Sequence, residues 1–319
     1  MVNLSAIAVG ELIEHDSIQL KKIRAGKGPL VITINGFLSE NGKDQSDWSS
    51  LLYSIMPNSP WIHMNWPSGN FDKLIRQMIN SSPDMLTSDS FKSKEQKLRQ
   101  RIAKSFSITR AASEWVKAMD NAEKAGNTLG QALSECNDRG IVLIGHSLGV
   151  RVIHHALQSL KKERADACSG VLLLGGAVTH DTDTWTPIFE KFKSLQVCNC
   201  YSHNDLVLSH LYQIGTLFTN HPCGLKRMES SVSTNLYNFN MSEDVSGHTA
   251  YKKLLVGQAI AEKFNKIEKL RNLSQQLIHT ANLSHQARKD LEKSQSEFDA
   301  QHKVTTGAMD NMKSAIDLL

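Results

Sequence analysis

Gly145-His146-Ser147-Leu148-Gly149 sets a serine between glycines two positions away on either side. The preceding run, Ile141-Val142-Leu143-Ile144, is apolar and strand-like, and Val150, Val152, Ile153, Ala156, Leu157 and Leu160 follow at helical spacing. A serine on a tight strand-to-helix turn presents its hydroxyl at the edge of a sheet, and small residues at 145 and 149 keep side chains out of the neighbouring backbone. The chemistry implied is nucleophilic attack on an acyl carbon. The Leu148 N–H, at the helix start, can donate to the oxyanion that forms, helped by the partial positive charge of a helix N-terminus. A second donor is expected from the loop Asn35-Gly36-Phe37-Leu38, through the Phe37 or Leu38 amide. A purely structural reading of the motif has the glycines permitting close packing and Ser147 capping the helix.

A serine hydroxyl becomes a good nucleophile when a histidine takes its proton, and the histidine is oriented by a carboxylate on its other ring nitrogen. With such an elbow the chain order is serine, acid, histidine. Ser202-His203-Asn204-Asp205-Leu206-Val207-Leu208 follows a strand ending at Tyr201, which puts Asp205 at a strand's C-terminal edge, where open α/β sheets assemble their sites. Asp205 is the expected acid, with a plain helix cap as its structural alternative. The polar loop Met241 to His248 follows the last strand, and Gly247 frees the backbone to deliver His248, the expected base. His203 and His210 are read as ordinary surface or core histidines.

The elements that must position these residues alternate along the chain. Residues 5 to 28 suggest one or two short edge strands, and Pro29 to Ile34 a strand buried on both faces near the middle of a sheet. A helix from Asp47 to Ile55 and a strand from Pro60 to Trp66 complete a strand–helix–strand unit. Further strands are expected at 141–144, 171–174, 195–201 and 236–240, with helices at Leu148 to Leu160 and Trp185 to Phe192. Alternation of this kind implies a mostly parallel α/β sheet flanked by helices.

These blocks resemble a known family: the α/β-hydrolase domain of unknown function found in transmembrane and coiled-coil domain-containing proteins and related fungal lipase-like proteins. The resemblance rests on Asn35-Gly36-Phe37-Leu38, Trp48 with Leu52, Trp66, the 145–153 block, Leu173-Leu174-Gly175-Gly176-Ala177-Val178, Tyr201 to Leu208, and Gly247-His248-Thr249-Ala250-Tyr251. It spans about residues 29 to 255 and implies an α/β-hydrolase fold, Asp205 and His248 as acid and base, and hydrolysis of an ester or lipid. The membrane segments of the larger relatives are absent from these residues.

Composition narrows the alternatives. A net charge of +4 without dense basic blocks argues against a nucleic-acid partner. Five cysteines without paired zinc spacing suggest reduced thiols in a cytoplasmic protein, and no metal or cofactor is expected. No apolar stretch approaches the ~18 residues of a transmembrane helix. The domain reading is a catalytic domain over 1–263, interrupted by a helical insertion at about 68–138, and a helical extension over 264–319. Lys94 to Ala125 carries helical periodicity, and the segment from Phe71 to Phe106, with Met78, Met85 and Leu86, is a candidate lid. In the extension, Ile260, Phe264, Ile267, Leu270, Leu273 and Leu277 are spaced to pack on the body, with a polar helix or hairpin expected near Thr305-Thr306-Gly307. That tail leaves room for oligomerisation or peripheral membrane contact. The competing function is a non-catalytic scaffold that binds a partner through the tail.

Overall fold

The computed structural model describes residues 3–37, 39, 45–69, 108–206, 208, 221–230 and 232–316. The candidate lid, Leu38 and His210 lie outside them. Eight strands form one sheet: β1 (Leu12–His15), β2 (Ile18–Arg24), β3 (Val31–Ile34), β4 (Trp61–Asn65), β5 (Ile141–His146), β6 (Cys168–Leu174), β7 (Gln196–Tyr201) and β8 (Leu236–Asn240), in the order β1-β2-β4-β3-β5-β6-β7-β8. The β1–β2 and β2–β4 pairings are antiparallel, and every pairing from β4 to β8 is parallel. This is the α/β-hydrolase fold, mostly parallel, with the antiparallel strands at one edge.

The expected edge strands are β1 and β2, and the apolar run before Asn35 is β3, fourth in the order and buried at all four positions. Side chains alternate across the sheet. Ile32, Ile34, Ile62, Met64 and Leu143 join one core cluster with α2 (Ile108–Glu135), α3 (Leu148–Ser159) and α4 (Thr182–Lys191). Thr33, Trp61 and His63 lie outside that cluster and are linked to one another: Trp61 Nε1 donates to Thr33 Oγ1 at 2.7 Å, and the His63 ring meets the same oxygen at 2.8 Å. Helix α1 (Gln45–Ile55) buries Trp48, Leu51 and Leu52.

The described part of the expected helical insertion is α2, which runs ten residues past Ala125 to Glu135. Gly126 and Gly130, just past the periodicity that ends at Ala125, lie where α2 meets α3. A Cβ at 126 would come within 2.6 Å of the Val152 carbonyl oxygen, and one at 130 within 2.4 Å of the Ala156 oxygen. The backbones touch there, so burial of Ala122, Ala125, Leu129 and Leu133 outweighs the weak helix propensity of glycine.

The chain divides into two units, residues 1–261 and 262–319. Helix α5 (Leu254–Ile316) begins in the first, where Val256 and Ile260 are buried and Gly257 lies against Leu51 and Ser54 of α1. In the second unit the helix is continuous through Thr305-Thr306-Gly307, so of the expected polar helix or hairpin it is the helix that forms. One glycine costs about 1 kcal/mol against alanine, too little to break a helix without proline. Of the apolar stripe expected to pack, Leu270, Leu273 and Leu277 are exposed. Among the described residues, no helix is long and apolar enough to cross a membrane.

Replacing Gly130 by valine must separate α2 from α3. We expect a loss of about 1–3 kcal/mol, read as a lower urea midpoint.

Candidate active site

Ser147 joins β5 to α3 with φ 58° and ψ −121°, a left-handed conformation that costs a non-glycine residue about 1–3 kcal/mol. Its neighbours hold it there. The Ser147 N–H donates to the Leu174 oxygen at 3.0 Å, and the Ser147 carbonyl accepts from Ala177 at 3.0 Å and Val150 at 3.1 Å. The flanking chain is equally confined, since a Cβ at Gly149 would stand 2.3 Å from the Ile34 oxygen, and one at Gly36 would stand 2.5 Å from Ser147 Cβ. The Ser147 side chain makes no capping hydrogen bond, which removes the helix-cap reading.

Its hydroxyl is instead 2.8 Å from His248 Nε2, and His248 Nδ1 is 2.7 Å from Asp205 Oδ2. The three residues named from chain order are therefore brought together. Asp205 is fully buried, and its other oxygen accepts the Leu208 N–H at 2.9 Å, so the carboxylate serves both the local backbone and the histidine. The geometry fits Nδ1–H donating to Asp205 and Nε2 accepting from the serine, the arrangement in which Nε2 can take the hydroxyl proton. Leu148 opens α3 and is buried. Phe37 follows Gly36, and its ring packs edge-on against Trp115 at 5.3 Å. Among the described residues, neither the Leu148 nor the Phe37 N–H is taken up by a hydrogen bond.

Two supports escaped the sequence reading. His146 Nε2 donates to the His248 carbonyl at 2.8 Å, and the two rings are 4.7 Å apart between centroids. Gly175, at φ 52°, lets the Tyr251 ring and Asp205 approach: a Cβ there would be 2.6 Å from the ring. Burial, followed by the charge of Asp205, pushes the Tyr251 phenol far above its usual range, so it stays protonated. The available signal was that His146, Gly175 and Tyr251 all lie within blocks that carry the family resemblance.

Beside the serine, Asn35 collects donors. Trp48 Nε1 gives to its Oδ1 at 2.6 Å, Lys252 Nζ to the same oxygen at 3.3 Å, and Trp66 Nε1 to its backbone oxygen at 2.9 Å. Several histidines of the domain are held neutral by burial above all. His63 is lowered to about 3, with Lys252 and Lys21 adding to the effect, and His154 to about 3 and His155 to about 4. His146 falls well below its usual value through burial, then the charges of His248 and Lys252.

Residues 108–263 match the model of a family described as a protein of unknown function, DUF726. An uncharacterized membrane protein of Caenorhabditis elegans is 32% identical over 44% of this chain and 23% of its own length. The rice transmembrane and coiled-coil domain-containing protein STS1 is 30% identical over 47% of this chain and 22% of its own. The probable lipase MIL1 of Saccharomyces cerevisiae is 28% identical over 50% and 15%. The match thus spans less than a quarter of the length of each of these relatives. Among solved structures, the mouse α/β-hydrolase domain-containing protein 10 is similar over 82% of this chain and all of its own, at 13% identity and a TM-score of 0.40. The Pyrococcus furiosus esterase Pf2001 is similar over 82% and 90%, at 10% identity and a TM-score of 0.37.

The neutral histidines make stability depend on pH. Each takes up a proton near pH 6.5 when unfolded but not until much lower pH when folded, so stability is intact at pH 7 and falls as pH drops. For deeply buried His63 and His154 the slope is on the order of 1 kcal/mol per pH unit each. Urea midpoints should decline between pH 6.5 and 5, and the decline should be shallower in His63→Gln.

Proposed function

We propose that this chain is a serine hydrolase that cleaves a carboxylic ester, with Ser147 as nucleophile, His248 as general base and then acid, and Asp205 as its orienting carboxylate. The observation that carries the reading is the unbroken line from Asp205 Oδ2 through the His248 ring to Ser147 Oγ, at 2.7 and 2.8 Å, on a strained strand-to-helix turn. Helix capping does not account for the serine in it, since Ser147 does not cap α3.

His248 Nε2 takes the hydroxyl proton as Oγ attacks the acyl carbon, and the carbonyl electrons move onto oxygen. The Leu148 N–H and an amide from the loop at Phe37 and Leu38 receive that oxyanion. Collapse of the intermediate expels the alcohol, which takes the proton from the imidazolium, and leaves the acyl group on Ser147. Water, deprotonated by the same nitrogen, then releases the acid. Asp205 holds the Nδ1–H tautomer and stabilises the imidazolium while it exists.

A lipid ester is the favoured substrate class, because a relative is named as a probable lipase. A cytoplasmic setting fits the five cysteines, which are all free and buried.

An alkyl fluorophosphonate should label the wild-type protein and leave Ser147→Ala unlabelled. Asp205→Asn should keep the fold and lower kcat on a p-nitrophenyl ester by a factor on the order of 10⁴. A folded wild type that resists the probe and turns over no ester in an acyl-length series would point instead to a scaffold with a hydrolase fold.

A further inference from the structure

A buried lysine lies four residues beyond His248, on the same 3₁₀ turn (His248–Lys252). The Lys252 side chain is 8% exposed; its ammonium donates to Asn35 Oδ1 at 3.3 Å, pairs with Asp47 at 3.4 Å, and lies 5.3 Å from the Trp48 ring centroid. Burying an ammonium in this way is not an efficient source of stability, because an apolar side chain of similar length fills the same space without desolvating a charge. Its position is more informative than its charge. Asn35 immediately precedes Gly36, the residue pressed against Ser147, and Phe37 follows.

We propose that Lys252 is a positioning residue that ties the turn bearing His248 to the loop bearing the second oxyanion donor, so that base and donor keep one spacing across Ser147. The inference rests on the serine-hydrolase reading above. Trp48 and Trp66 fix Asn35 to α1 and to the chain just beyond β4, and neither belongs to the turn that carries the base. Lys252 joins that turn directly to Asn35. Donor placement in an oxyanion site matters at the level of tenths of an ångström, and it is felt in the transition state rather than in substrate binding. A tether of this kind therefore acts on kcat and leaves KM largely alone.

The experiment measures kcat and KM on a p-nitrophenyl ester, inhibition by a trifluoromethyl ketone whose hemiketal mimics the tetrahedral oxyanion, and the melting temperature. The proteins compared are wild type, Lys252→Met and Lys252→Arg. In Lys252→Met, kcat should fall roughly 10- to 100-fold with KM within about twofold. Affinity for the ketone should weaken in parallel with kcat/KM, and Lys252→Arg, which still donates, should recover most of the loss. Unchanged kcat with a lower melting temperature would make Lys252 merely structural, and a raised KM at constant kcat would make it a binding residue; either result overturns the proposal. If Lys252→Met does not fold, Lys252→Gln, whose amide stops one bond short of Asn35, carries the same expectation. A wild type inert toward both ester and fluorophosphonate would overturn the hydrolase reading and this inference with it, whereas an active wild type matched by Lys252→Met would overturn this inference alone.

Discussion

The backbone at Ser147 is the constraint on which the rest of the structure depends. A non-glycine residue at φ 58° is held there by main-chain hydrogen bonds from β6 and the loop after it, with β3 pressed against the following turn so closely that Gly149 admits no side chain. Neighbouring parallel strands supply these contacts, so the strain at one residue is offset by a large part of the sheet. A loop could not hold that geometry alone. The serine emerges with its carbonyl satisfied, its amide satisfied and its hydroxyl directed to a histidine.

Burial then sets the electrostatics. Asp205 is fully enclosed, so its charge is balanced by two donors, the Leu208 amide and the His248 ring. His146, beside His248, is kept neutral by the same enclosure. A neutral neighbour adds no positive charge beside the hydrogen bond between His248 and Asp205. The polar groups on the other side of the serine follow the same rule: Thr33, Asn35, His63 and Lys252 are each buried, and each is engaged by a partner.

Much of this was legible in local sequence. The apolar runs of β3 and β5, the Gly-x-Ser-x-Gly spacing and the alternation of strands with helices follow from side-chain period and from what a tight turn tolerates. Asp205 and His248 were legible for a different reason, namely chain order and their place just after strands. Where local signals misled, tertiary packing had overruled them. The helical periodicity read from Lys94 to Ala125 stops short of Gly126 and Gly130, which lie inside α2 and serve as contact points with α3.

By itself, then, the sequence determined the strand set, the turn carrying Ser147 and the three residues that form one hydrogen-bonded line, because each is written in local spacing or in chain order. Only the tertiary structure decided that Asp205 serves backbone and ring at once, that His146 braces the His248 carbonyl, and that Lys252 reaches Asn35 from 217 positions away. Those contacts join segments with no local relationship. They exist because strand order brings β3, β5, β6, β7 and β8 side by side, and the loops leaving these strands meet at one edge of the sheet.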